Sequence, residues 1–104
     1  MKYRSTRDNN IIKDDKVALL QGLSEDGGLF VLENLSDKKI NLENLIDKSY
    51  TEIAFEVLKL FFSFDENKLK SVIEKAYSKF STSKVTPLVE LKNAHVLELF
   101  HGPT

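Results

Sequence analysis

A helix-dominated α+β domain, with an antiparallel helix pair and a small β element, is the fold this sequence predicts. Two runs of apolar residues at helical spacing between Ser49 and Phe80 predict the pair. A change to period-two alternation after Pro87 predicts the β element. The glycine pair Gly27-Gly28, just ahead of an apolar tetrapeptide, adds a tight turn feeding an extended segment.

The first helix covers Lys16-Val17-Ala18-Leu19-Leu20-Gln21. Asp14 or Asp15 caps its free N–H groups, and Gly22 takes the left-handed conformation that ends it. Ser24-Glu25-Asp26-Gly27-Gly28 is a run of turn formers, and Leu29-Phe30-Val31-Leu32 follows as the extended segment. Residues 33–48 are polar and weakly patterned, with Leu42, Leu45 and Ile46 spaced for a short helical turn. Ser49-Tyr50-Thr51-Glu52 then spells a capping box, in which serine and glutamate each satisfy a backbone donor near the other. The helix it opens carries Ile53, Ala54, Val57, Leu58 and Phe61 on one stripe, broadened by Phe62 and Phe64.

A second long helix is expected from about Asp65 to Phe80. Leu69, Val72, Ile73, Ala76, Tyr77 and Phe80 share one face, opposite a solvated face of Lys68, Lys70, Ser71, Glu74, Lys75 and Ser78. The short linker Ser63 to Asp65 makes the two helices antiparallel neighbours. Ser81-Thr82-Ser83 is a loop. Val85-Thr86-Pro87 reads as extended, because proline disfavours helix in the residue before it. Leu88 to Leu91 and His95 to Phe100 read as two strands around Lys92-Asn93-Ala94. In the second strand Val96, Glu98 and Phe100 point one way and Leu97 and Leu99 the other, the pattern of a half-buried strand.

Composition narrows the classes of function. A chain of 104 residues has room for one domain, and 41% hydrophobic against 30% charged residues supports a core and excludes a disordered chain. Fifteen Lys and Arg against sixteen Asp and Glu leave no basic excess to bind a phosphate backbone, so no nucleic-acid partner is expected. The absence of cysteine excludes a disulfide scaffold, a thiolate metal site and a thiol nucleophile. His95 and His101 alone are too few for an all-protein zinc site, so no metal is expected. No apolar stretch follows the basic start Met1 to Arg7, and Leu60-Phe61-Phe62 with Phe64 is far too short to span a bilayer. A cytoplasmic protein without a membrane partner is the expectation.

Few residues point to chemistry by themselves. Nucleotide-binding glycine loops, the nucleophile elbow and the paired-histidine zinc motif are all missing. Gly27-Gly28 is either a plain turn or a place where backbone approaches a ligand. His101 follows a strand and precedes Gly-Pro, which places it on an exposed turn at a strand end. Arg4 and Arg7, with Ser5 and Thr6 between them, are either solvated charges or a small anion site, since arginine binds phosphate through two parallel N–H groups.

Five segments in one order carry a resemblance. They are Tyr3-Arg4-Ser5-Thr6-Arg7, Gln21-Gly22-Leu23, Asp26-Gly27-Gly28-Leu29-Phe30, Val85-Thr86-Pro87-Leu88 and Leu97-Glu98-Leu99-Phe100-His101-Gly102-Pro103-Thr104. Together they resemble the amino-terminal region of the threonine synthase family, and the last octet is the most specific. The resemblance implies a pyridoxal-phosphate enzyme related to tryptophan synthase β, converting O-phospho-L-homoserine and water to L-threonine and phosphate. In that family a Phe-Lys-Asp sequence follows within a few residues and supplies the lysine that holds the cofactor.

This sequence stops at Thr104, ahead of any such lysine. Residues 1–104 are therefore expected to be the amino-terminal domain of a longer enzyme, with a larger carboxy-terminal domain as partner. The resemblance implies no catalytic residue and no bound pyridoxal phosphate in the chain alone, which should be inactive. It places Phe100, His101, Gly102, Pro103 and Thr104 beside the cofactor site of the parent enzyme. Ser5, Thr6, Arg7, Asp26, Gly27 and Gly28 are candidates to face the substrate or the larger domain, although a turn and a strand explain these motifs without a ligand. Two other readings stand beside this one: a threonine-synthase-like phospho-lyase that releases a keto acid, and a non-catalytic module whose helix pair offers an apolar face to a partner protein.

Overall fold

Along Lys2-Tyr3-Arg4-Ser5, side chains alternate between water and interior: Tyr3 and Ser5 are buried while Lys2 is exposed. In the computed structural model, which describes residues 1–103, this segment is β1 (Lys2–Ser5). It is the central strand of an antiparallel sheet, flanked by β2 (Ile12–Asp14) and β3 (Phe30–Leu32). Lys2 lies opposite Asp14 in that register, with Nζ 2.9 Å from the carboxylate, and Ser5 lies opposite Phe30. Neither β1 nor β2 was expected from the sequence, because strands of four and three residues are too short for alternation to stand out.

Helix α1 (Asp15–Gln21) follows β2 directly and ends as expected at Gly22, whose positive φ of 79° suits a residue without a side chain, although its ψ of -90° lies outside the expected left-handed helical conformation. Asp14 occupies the capping position but caps nothing with its side chain, which is taken by Lys2. Tyr3, Ala18 and Leu32 form a first small core, with Met1, Phe30 and Phe61 packed on it.

The polar stretch forms two single 3₁₀ turns, Leu35–Asp37 and Leu42–Leu45. Helix α2 (Tyr50–Phe61) opens on the expected capping box: Ser49 Oγ accepts from the Glu52 N–H, and the Glu52 carboxylate accepts from the Ser49 N–H at 2.7 Å. Helix α3 (Glu66–Tyr77) is capped by Asp65, whose carboxylate accepts from the Lys68 N–H. The pair is antiparallel, for Tyr50 at the start of α2 meets Tyr77 at the end of α3, ring centroids 4.9 Å apart. Between them Phe55, Leu69 and Ile73 form the second core.

Three details differ from the periodicity reading. Phe55, absent from the expected stripe, is the buried residue of α2, while Val72 of α3 is 56% exposed. Helix α3 also ends at Tyr77, so Phe80 lies beyond the helix and meets the Tyr77 ring at 5.1 Å.

Two hydrogen-bond ties join the cores. Tyr3 Oη donates to the Phe61 carbonyl at 2.6 Å, satisfying an acceptor that the end of α2 leaves free. The buried Asp15 carboxylate accepts from the Ser63 N–H and hydroxyl at 2.5 and 2.6 Å, and from the Lys16 N–H at 2.9 Å.

Past α3 the chain departs further from expectation. Val85 is not extended: it sits at φ 60°, at the centre of a three-residue turn closed by the Thr86 N–H on the Lys84 carbonyl. That conformation is strained for a β-branched residue, and burial of the valine side chain offsets the cost. Strands β4 (Leu88–Glu90) and β5 (His95–Leu97) form the expected hairpin, with Val89 opposite Val96. Both strands are exposed throughout, so the half-buried pattern is absent, and β5 stops before Glu98.

Candidate functional site

Residues separated by about twenty positions in sequence meet at the end of β1. Ser5 is fully buried there, and its hydroxyl donates to the Asp26 carboxylate, 2.8 and 2.9 Å from the two oxygens. The same hydroxyl accepts from the Arg7 N–H at 3.1 Å. Asp26 Oδ1 also accepts from the Gly28 N–H at 2.9 Å, which shapes the turn from within. Thr6 pairs with Leu29 twice: its N–H donates to the Leu29 carbonyl, and its Oγ1 accepts from the Leu29 N–H at 3.0 Å.

The glycines are there for space. A Cβ on Gly28 would fall inside the Ser5 hydroxyl and come within 3.0 Å of the Asp26 carboxylate. Gly27, at φ 80°, lies under the Arg7 guanidinium, and a Cβ there would sit 2.7 Å from Nη1. Arg7 Nη1 donates to the Asp26 carbonyl at 2.9 Å.

Electrostatically the site is quiet at its centre and open at its rim. The Gly28 N–H, with help from the Ser5 and Ser24 hydroxyls, holds the Asp26 carboxyl below the usual carboxylate range against the opposing pull of burial. Ser24 Oγ is buried close to that carboxylate and has no hydrogen-bond partner within bonding geometry among the described residues. Asp26 thus serves as a hydrogen-bonded scaffold that ties the end of β1 to the Gly27-Gly28 turn. Arg7 is exposed and makes no ion pair among the described residues.

The second group of candidates lies where the chain leaves the β4–β5 hairpin. His101 is not on an open turn. Its Nδ1 meets Ser81 Oγ at 3.0 Å, its Nε2 meets Glu98 Oε1 at 2.9 Å, and its carbonyl accepts from the Ser81 N–H. Gly102 packs against the Phe80 ring, where a Cβ would come within 3.0 Å of an edge carbon. Phe100 is 71% exposed and Pro103 is exposed; Thr104 lies outside the described residues. No hydrogen bond or ion pair joins these residues to the Ser5–Asp26 cluster among the described residues. Glu98, three positions before His101, and Ser81 were not foreseen as partners; the Glu98–His101 spacing was the one available signal.

The cluster makes Gly28→Ala informative. The added methyl group must displace the Ser5–Asp26 pair, so a loss of about 2 kcal/mol is expected. The urea midpoint should fall accordingly, whereas Gly22→Ala, which meets nothing within 4 Å, should lose only the cost of its positive φ.

Comparison with known proteins places the chain in a family. Residues 2–77 match the family described as "Threonine synthase N terminus". The chain belongs to the threonine synthase family. The threonine synthase of Schizosaccharomyces pombe is 41% identical over 109 residues, covering 100% of this chain and 21% of its own length. A solved structure of pyridoxal-phosphate-bound threonine synthase from Brucella melitensis superposes with a TM-score of 0.87 at 37% identity, covering 99% of this chain and 23% of that one. Threonine synthase-like 2 of Xenopus laevis is 34% identical, over 100% of this chain and 23% of its own length. The chain therefore spans about a fifth of the length of the threonine synthases it matches.

Proposed function

We propose that residues 1–104 are the amino-terminal domain of a threonine synthase, which converts O-phospho-L-homoserine and water to L-threonine and phosphate. The observation that carries this reading is superposition over nearly the whole chain on a pyridoxal-phosphate-bound threonine synthase. Pyridoxal phosphate, when bound, would serve as the electron sink of the reaction. In the family that this sequence resembles, the covalent anchor is the lysine of a Phe-Lys-Asp segment, and no lysine of residues 1–104 stands in that context. The anchor thus belongs to another part of the protein, and this domain alone should be inactive.

The part of this domain is to build and cover a wall of the cleft, with a larger carboxy-terminal domain as its partner. Its shape and surface support that role. The radius of gyration is 16.5 Å, against about 13 Å for a compact chain of this length. In the hairpin, Leu88, Val89, Val96 and Leu97 are all exposed. Neighbouring residues of a strand point to opposite faces, so both faces of this hairpin are apolar and require cover. His101 stitches the neck of the hairpin to Ser81 and Glu98, a fixed support for the neighbouring Phe100 and Gly102, which in this reading stand on the cofactor side of the cleft. Ser5, Thr6, Asp26, Gly27 and Gly28 form a rigid edge facing the substrate or the larger domain, and Arg7 is its outward-facing group.

A second reading is favoured by the threonine synthase-like 2 relatives, which match over the full chain. In that case the complete protein is a phospho-lyase that releases a keto acid. Product analysis of the complete protein with O-phosphohomoserine separates the two. Threonine and phosphate in equal amounts are expected; phosphate with a keto acid and no threonine would replace the first reading by the second.

A further inference from the structure

We propose that Arg7 is an oxyanion-binding residue, its guanidinium held for that purpose by the Asp26–Gly28 turn. The inference deepens the reading above and rests on it for one of the two sources of the anion. Three features distinguish Arg7 from an ordinary solvated arginine. Its backbone N–H is fixed on the Ser5 hydroxyl, and Ser5 is fully buried. Its Nη1 is fixed on the Asp26 carbonyl at 2.9 Å. Its guanidinium occupies the place where any residue but glycine at position 27 would put a Cβ.

The planar group is thus anchored at one corner, and its remaining N–H groups have no partner among the described residues. No carboxylate pairs with it among the described residues: Asp26 accepts from Ser5 and Gly28 and offers Arg7 only its backbone carbonyl, and the neighbouring Asp8 accepts from Asn10. By contrast Arg4, three residues away, turns its guanidinium to the side chain of Asn9. A fixed guanidinium with a free edge matches an oxyanion that accepts two parallel hydrogen bonds, and little side-chain entropy remains to be lost on binding. The oxyanion comes either from the substrate, as phosphate or carboxylate, or from an acidic side chain of the rest of the protein.

The test uses the complete protein with Arg7→Ala, Arg7→Lys and Arg7→Gln. If the substrate supplies the anion, Arg7→Ala raises the KM for O-phosphohomoserine about tenfold or more, and Arg7→Lys restores only part of it. A matching rise in the inhibition constant of inorganic phosphate assigns the phosphate; an unchanged one assigns the carboxylate. If the rest of the protein supplies the anion, KM is unchanged. The thermal midpoint of Arg7→Gln, which keeps a donor for Asp26, then falls below wild type, and the gap closes at high salt. Variants equal to wild type in KM, phosphate inhibition and thermal midpoint would overturn the proposal. If the wild-type protein turns over no O-phosphohomoserine, the threonine synthase reading fails, while the thermal comparison still reports on Arg7.

Discussion

Phe55→Ala is expected to remove about 4 kcal/mol of stability, the usual cost of deleting a buried aromatic ring. Phe55 is 6% exposed and packs between Leu69 and Ile73, so its removal hollows out the second core. The ring also supports charge. The Lys59 and Lys70 ammonium groups each stand 4.7 Å from its centroid, and both lose that contact on truncation. A loss of that size approaches the whole stability of a small domain, so the urea midpoint should fall steeply. Val57→Ala on the same helix is the control. Val57 is 37% exposed, and its loss should stay near 1 kcal/mol.

Asp15→Ala is expected to cost about 2 kcal/mol, because it removes the shared acceptor of three part-buried hydrogen bonds. The Ser63 N–H and hydroxyl and the Lys16 N–H all converge on this carboxylate. The amino terminus adds a weak charge interaction 4.0 Å away. Burial pushes the Asp15 carboxyl up, while the Ser63 and Lys16 hydrogen bonds pull it down, and the net direction is below the ordinary value of 3.8. A carboxyl lowered on folding contributes stability that is fully present above its unfolded value and is lost as the pH falls through its folded value. Stability should therefore decline on acidification below about pH 4, and Asp15→Asn should flatten that decline while lowering stability at neutral pH. An unchanged acid profile in Asp15→Asn would mean that the tie between α1 and Ser63 contributes nothing.

The helices were legible because each is announced by residues acting within a few positions of one another. Ser49 and Glu52 cap α2 through mutual hydrogen bonds, and the i, i+3, i+4 rows of α3 place Leu69 and Ile73 inward without reference to the rest of the fold. Gly22 ends α1 for an equally local reason. The sheet was not legible. Its strands β1 and β2 are held by pairing between Lys2 and Asp14 and between Tyr3 and Lys13, contacts that no window on the sequence contains. The choice of Phe55 over Val57 as the buried residue was hidden too, since it depends on where α3 crosses. Of the candidate site, residue types were visible and their meeting was not. Ser5 to Arg7 and Asp26 to Gly28 could be singled out as motifs, but the Ser5–Asp26 bond exists only because β1 and β3 are neighbours. His101 was seen as an open residue for the same reason in reverse: its partner Ser81 lies across the neck of the hairpin.

The most direct measurement is turnover of O-phosphohomoserine by the complete protein loaded with pyridoxal phosphate, with residues 1–104 alone as the comparison. Threonine and phosphate formed in equal amounts by the complete protein, with none from the isolated chain, is the predicted result. A complete protein that binds the cofactor yet releases no phosphate from this substrate would contradict the account.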